Sequence, residues 1–177
     1  MNAKEPVLLV VLIETGALRW YVAGVSLAGH PLPLMRSETG SLGAYIDVAF
    51  DEQVSFLRHR LAGVLQRGCD RLWGHQKKPC QIVIVADHFF PQAPLELTQH
   101  VADHFVQWMV NPPVAFVVTN GSFRHNATSP LEPLAGQLEP SHREALEAGL
   151  PKLLAAVQRD ELWEVSQSKR DAEFPKS

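Results

Sequence analysis

An acidic and an imidazole side chain directly follow the most apolar stretch in the middle of the chain. Residues 81–86 are rich in Ile and Val, and Asp87 and His88 come next. Open α/β folds bind their ligands at the carboxyl ends of such strands. An aspartate beside a histidine can bind a metal ion or move protons near neutral pH. The structural alternative is that Asp87 caps a loop amide and the phenylalanines after His88 belong to the core or to an interface.

His100, Asp103 and His104 form a second candidate group. The pattern H-x-x-D-H resembles the inverted zinc-peptidase signature H-x-x-E-H. Two histidines four residues apart share one face of a helix and could both bind zinc. Aspartate stands where that signature has glutamate, and no third ligand stands out in the sequence. A histidine pair at the solvent edge of an otherwise apolar helix is therefore the favoured interpretation, and a zinc hydrolase on His100 and His104 is the alternative.

The apolar patterns predict the elements that position these side chains. Residues 7–13, 17–28 and 33–37 are predicted to form three antiparallel strands, because they combine apolar and aromatic residues and are separated by turn residues. The proline in the third strand favours an edge position, since proline cannot donate to a neighbouring strand. Apolar residues at spacings of 3 and 4 predict a helix from Asp51 to about Trp73.

The middle of the chain alternates between strand and helix patterns. A strand over 81–86 precedes the helix that carries His100 and His104, and a further strand covers 114–118. The predicted order is therefore β-β-β-α-β-α-β. Right-handed crossovers place the later strands parallel to the first, which predicts a single α/β domain with a mixed five-stranded sheet and helices on both faces.

The C-terminal part is predicted to be an appendage to this domain. Residues 1–121 form the predicted α/β core. Residues 122–140 are rich in Pro and Gly and are predicted to be a functional loop or a linker. A capping-box pattern at Ser141 begins a predicted helical extension over 141–165. Residues 166–177 are charged and predicted to be disordered.

The order of the elements resembles the ribonuclease H-like superfamily, which also includes the actin-like ATPases. The resemblance covers roughly residues 6–120 and rests on element order. It is carried by the aliphatic first strand with Glu14-Thr15-Gly16, by Arg19, by the hairpin at Gly29 and by the strand that ends at Asp87. The phosphate-binding loops of the actin-like ATPases are richer in glycine than this first turn, and 177 residues are too few for the second domain that those enzymes need.

The resemblance implies a site at Glu14 and Asp87. Members of the superfamily place acidic residues at the ends of the first and fourth strands, and in its nucleases these carboxylates hold two magnesium ions about 4 Å apart. A phosphodiesterase or nuclease using Mg²⁺ or Mn²⁺ on Glu14 and Asp87, with His88 assisting, is therefore one implied function. The usual first acid is aspartate, however, and Glu144 and Glu147 are the only candidates for the remaining acids. These departures favour a member that lacks the catalytic set, that is, a non-catalytic binding or assembly domain.

Composition limits the partners and the compartment. The net charge is −3 and the 16 basic residues are scattered, so the sequence gives no clear signal for nucleic acid or for a membrane surface. Cys69 and Cys80 match no zinc spacing and predict reduced thiols in a cytoplasmic protein. The aliphatic run over 7–13 is too short for a transmembrane span and poor as a signal peptide. A protein partner or a homodimer formed through the edge strand is the expected kind of assembly.

Overall fold

The computed structural model describes residues 3–15, 19–37, 49–87, 95–108, 112–124 and 132–165. Elements are numbered in chain order. The strands and helices are β1 (Glu5–Glu14), β2 (Arg19–Ser26), β3 (Pro31–Arg36), α1 (Phe50–Gly74), β4 (Lys77–Ala86), α2 (Leu95–Trp108), β5 (Val114–Val118), β6 (Glu132–Ala135), α3 (Pro140–Arg159) and β7 (Glu164–Val165).

Within the described ranges, seven strands form one mixed sheet in the order β6-β5-β4-β1-β2-β3-β7. The first three strands pair antiparallel, as expected for short turns between neighbours. Strands β4 and β5 run parallel to β1, because α1 and α2 return the chain to the same end of the sheet. Strand β6 pairs antiparallel with β5, and β7 pairs parallel with β3. The aliphatic strand β1 therefore lies at the centre.

Alternate residues of the central strands enter two separate cores. In β1, Val7, Leu9, Val11 and Ile13 pack with residues of α1 and α2. The residues between them, with Val83 and Val85 of β4, pack with residues of α3. These two sides are called the α1/α2 face and the α3 face below. Because both faces are buried, a one-residue slip in strand register would exchange the two sets of side chains.

The mixed α/β architecture predicted from the sequence is confirmed, but the sheet has more strands than expected. The prediction of five strands omitted β6 and β7. These strands are four and two residues long, and β6 contains Pro133. Such short segments cannot display the period-2 alternation that identifies a strand. As a result, β6 lies within residues 122–140, which were predicted to be a loop.

Helix α3 packs against one face of the sheet. Its residues Leu146, Leu150, Leu153 and Val157 are at most 2% exposed and pack on the α3 face of the sheet. Pro151 lies inside this helix, yet the helix runs continuously from Pro140 to Arg159. A Cβ at Gly149 would lie 2.8 Å from a methyl group of Val25, so glycine allows the close contact between α3 and β2. The predicted tail over 166–177 lies outside the described residues.

Candidate functional site

The sequence-predicted carboxylates Glu14 and Asp87 lie at neighbouring positions at the carboxyl end of the two central strands. Ile13 is the register partner of Ala86, and the backbone N–H of Asp87 donates to the carbonyl of Ile13 at 3.1 Å. Strand alternation directs both acidic side chains to the α3 face, where Leu12 and Val85 already point. Glu14 is 3% and Asp87 1% exposed. The structure thus brings these two residues to one buried edge.

The carboxylate of Glu14 accepts hydrogen bonds from an arginine and a tyrosine. Nε of Arg124 donates to Oε2 at 2.7 Å, and a terminal nitrogen of the same guanidinium donates to Oε1 at 3.2 Å. The hydroxyl of Tyr21 donates to Oε1 at 3.2 Å. A two-pronged arginine–carboxylate pair is among the strongest hydrogen-bonded pairs in proteins. Glu14 is therefore a buried carboxylate whose charge is already balanced.

The ion pair of Glu14 belongs to a larger polar group at the same end of the sheet. The hydroxyl of Tyr21 accepts from Arg124 at 3.0 Å and from Arg19 at 3.3 Å. Arg19 also donates to Asp160 at 3.0 Å, and Nε of Arg36 lies 3.0 Å from the other oxygen of Asp160. We call this group the strand-end cluster. Its members are Glu14, Arg19, Tyr21, Arg36, Arg124 and Asp160.

These contacts and burial shift the pKa values of Arg19, Tyr21 and Arg124. The hydrogen bond to Glu14 is the main cause that raises the pKa of Arg124. Burial lowers the pKa of Arg19, but its hydrogen bond to Tyr21 and the charge of Asp160 raise it by more, so the pKa lies above its usual range. Burial raises the pKa of Tyr21. The cluster therefore holds charged guanidinium groups around a neutral phenol at neutral pH.

The end of α3 brings Asp160 to the cluster. Asp160 follows the last residue of the helix with φ of 65°, a left-handed conformation that is uncommon outside glycine. The indole N–H of Trp163 donates to the carbonyl of Ala156 at 2.9 Å, and the ring of Trp163 packs against that of Tyr21 with centroids 5.1 Å apart. The turn after α3 is thus fixed by packing as well as by the two arginines.

The sequence-predicted residues His100 and Asp103, whose side chains the structure describes, lie on α2. His88 lies outside the described residues. His100 lies exposed on α2, and Asp103 accepts a hydrogen bond from Gln99 at 3.0 Å. The side chain of His104 is not among those that the structure describes, so a zinc site on this helix stays a prediction. Among the described residues, no group of three or more His, Cys, Asp or Glu side chains could hold a metal ion.

The two late acids that the resemblance offered also lie elsewhere. Glu147 accepts from Arg143 on the same helix at 3.4 Å, and Glu144 precedes it by three residues on α3. Sequence reasoning instead missed Arg124 and Asp160, because each pairs with a residue more than a hundred positions away. Tyr21 is the residue that could have indicated a polar group here. It is the register partner of Leu12 and therefore lies on the α3 face, beside Glu14.

No protein-family model, curated protein or solved structure matches this chain. Among the described helices, none has the length and apolar character needed to cross a membrane.

Proposed function

We propose that this chain is a non-catalytic binding or assembly domain with ribonuclease H-like topology. The order β5-β4-β1-β2-β3, with an antiparallel meander followed by two parallel crossovers, supports the topology. The ion pair between Glu14 and Arg124 supports the absence of catalysis. Glu14 occupies the position of the first metal-binding acid, and a guanidinium supplies there the positive charge that a metal ion would bring.

A metal ion at Glu14 would have to displace existing partners. The carboxylate accepts two hydrogen bonds from Arg124 and one from Tyr21. Displacing the guanidinium of Arg124 would leave its positive charge half-buried without the carboxylate of Glu14 as its partner, which costs free energy. The strand-end cluster is thus better suited to fixing the ends of β1, β2 and α3 against one another than to holding a hydrated cation.

A thermal melt of the chelator-stripped protein against Mg²⁺, Mn²⁺ and Zn²⁺ tests this proposal. A ligand of the folded state at a hundred times its Kd adds about 2.7 kcal/mol, which is a rise in Tm of roughly 5–10 °C for a domain of this size. We expect no shift with any of the three ions. A rise with Mg²⁺ or Mn²⁺ that disappears in Asp87→Asn, but persists in the control Glu164→Gln, would refute the non-catalytic assignment.

The outer edge of the sheet offers a surface for assembly. Strand β7 pairs with Met35 and Arg36 of β3, so within the described part of the chain β7 lies at the edge, beyond the strand that was predicted to form it. Val165 of β7 is 43% exposed, and Leu162, which precedes the strand, is 47% exposed. Edge strands with exposed apolar residues readily pair with a second chain.

Sedimentation velocity at increasing protein concentration tests self-association through this edge. We expect a concentration-dependent dimer in the unmodified chain and a weaker dimer in Val165→Lys, because the lysine places a charge in the apolar contact. Leu27→Lys provides a matched control, since Leu27 is similarly exposed but lies in the turn after β2. A chain that stays monomeric at all concentrations contradicts the dimer, and the search for a partner would then turn to other proteins.

A metal-dependent phosphodiesterase is the second candidate, and it is favoured by one observation. Glu14 and Asp87 lie at neighbouring register positions on the same face, as two metal ligands from adjacent strands would. Hydrolysis of bis-p-nitrophenyl phosphate with Mn²⁺, measured for the unmodified chain and for Asp87→Asn, tests it. Activity that depends on both the ion and Asp87 would establish this candidate over the first.

A further inference from the structure

A thiol, an imidazole and an amide meet at the opposite end of the sheet from the strand-end cluster. Cys80 is the extra residue of a β-bulge in β4, because Val7 pairs with Pro79 whereas Leu8 pairs with Gln81. Sγ of Cys80 lies 3.8 Å from Nε2 of His142, and Nδ1 of His142 lies 2.6 Å from Oε1 of Gln81. The thiol is half-buried, and the imidazole, which is carried by the N-terminal turn of α3, is largely buried.

The amide of Gln81 fixes which imidazole nitrogen faces the thiol as a base. Gln81 is 1% exposed, and its Nε2 donates to the carbonyl of Gln137 at 2.7 Å. Its Oε1 must therefore accept a hydrogen bond from Nδ1–H of His142. In the neutral ring Nε2 then carries the lone pair, and it faces the sulfur of Cys80. A base held in this tautomer can take the proton of a neighbouring thiol.

A carboxylate lies beside the same nitrogen. Oε2 of Glu139 is 3.6 Å from Nε2 of His142. Burial raises the pKa of the Cys80 thiol, and the charge of Glu139 raises it further. The resting thiol of Cys80 is therefore neutral. Once the proton has moved to Nε2, the charge of Glu139 stabilises the imidazolium that forms.

A cavity adjoins this group. Its volume is about 340 Å³, and it is lined by segments of β5, β6 and the start of α3. Glu139 and Gln137, which contact His142 and Gln81, both line it, and the charged side chain of Arg143 is also on its wall. A small molecule in this cavity would therefore lie next to the residues that hold the imidazole.

We propose that Cys80 and His142 form a nucleophilic thiol site that reacts with small carbon electrophiles. Sγ of Cys80 attacks the electrophilic carbon, and a sulfur–carbon bond forms as the bond to the leaving group breaks. The leaving group departs with the electron pair, and the thiol proton moves to Nε2 of His142. Gln81 and Glu139 are positioning residues, since the first sets the tautomer and the second stabilises the protonated ring.

Alkylation of the full chain by iodoacetamide, followed at each cysteine by mass spectrometry, tests the proposal. Cys69 is the internal control, because it is also half-buried and burial likewise raises the pKa of its thiol. Assistance by a positioned base commonly accelerates a reaction about a hundredfold or more, so we expect Cys80 to react at least about tenfold faster than Cys69 at pH 7. Equal rates at the two cysteines would overturn the proposal.

Two variants, His142→Gln and Glu139→Gln, test whether His142 acts as the base or whether the thiolate of Cys80 reacts without its help. His142→Gln should reduce the rate at Cys80 to that at Cys69, whereas His75→Gln, at the end of α1, should leave it unchanged. Glu139→Gln should slow Cys80 severalfold near neutral pH, because the imidazolium loses its neighbouring charge. If the thiolate alone reacted, the same change would lower the pKa of Cys80 and speed the reaction, which would refute the role of His142. Glu139 is exposed, so this variant decides the question even if His142→Gln does not fold.

Discussion

Removing the charge of Glu14 should destabilise the fold by an amount that depends on Arg124. Arg124 donates two hydrogen bonds to the carboxylate of Glu14. In Glu14→Gln one of these bonds is lost and the other no longer has a charged acceptor. Hydrogen bonds to charged groups are worth about 1.5–3 kcal/mol each. The side chain of Arg124 is about one-third exposed, so water compensates part of this loss. We therefore expect about 2 kcal/mol for Glu14→Gln.

The reverse change should cost more. Arg124→Gln leaves the carboxylate of Glu14 almost fully buried without its cation, and breaking a buried pair in this way costs about 3–5 kcal/mol. The hydrogen bond from Tyr21 remains and lowers the expected value to about 3 kcal/mol. The double variant should lose about 3 kcal/mol rather than the sum, which corresponds to a coupling energy of about 2 kcal/mol.

Urea denaturation of the four proteins measures this coupling, provided that the m-value stays constant. The exposed ion pair of Arg71 with Glu164 on β7 is the matched control, and its coupling should stay below about 1 kcal/mol. If the effects of Glu14→Gln and Arg124→Gln simply add, the pair does not hold the end of the sheet together, and the argument against a metal at Glu14 loses its basis.

Other consequences concern pH and packing. Burial raises the pKa of Tyr21, so the folded state favours the neutral phenol. The neutral phenol's contribution to the free energy of unfolding is complete below about pH 10 and is lost as the pH rises through the pKa of Tyr21 in the folded state. Urea melts between pH 8 and 11 should therefore show a smaller alkaline loss of stability in Tyr21→Phe than in the unmodified chain, and identical slopes would contradict the assignment. On α1, a Cβ at Gly68 would lie 2.9 Å from a β2 side chain, whereas one at Gly63 would meet only the end of a flexible arginine at 3.5 Å. Gly68→Ala should cost about 1–3 kcal/mol and Gly63→Ala should stabilise by up to about 1 kcal/mol, as measured by the same melts; a stabilising Gly68→Ala would show that the helix can shift away from the sheet.

Sequence patterns predicted the elements whose residues repeat over several turns or alternations. Residues 7–13 of β1, residues 82–86 of β4 and all of β5 are continuous apolar runs, and α1 has a clear apolar face, so these segments could be predicted from the chain alone. The first residues of β4, 77–80, lie outside the predicted strand because they include two lysines and a proline. Strands β6 and β7 form because they lie beside existing strands, which is a property of the folded sheet. The residues of β6 and β7 alone therefore do not predict that these segments pair with β5 and β3.

The candidate site could be predicted in part for the same reason. Glu14 and Asp87 are recognisable because each ends an apolar strand. Arg124 follows β5 in a stretch without periodicity, and it reaches Glu14 across 110 positions. The thiol of Cys80 and the ring of His142 are 62 positions apart and meet only because α3 begins over the bulge in β4. Neither pair has a spacing that sequence reasoning could recognise.

The central position of β1 has a consequence for the nascent chain. Its partner β2 follows within a few residues, but its partner β4 begins only after α1, so that Glu5 pairs with Lys77. During synthesis the second edge of β1 therefore remains open, with aliphatic side chains on both faces, until some 70 further residues have been made. Open apolar edges favour aggregation. Light scattering on dilution from urea should accordingly rise with protein concentration during refolding. In the emerging chain, β1 is the segment that we expect a chaperone to bind.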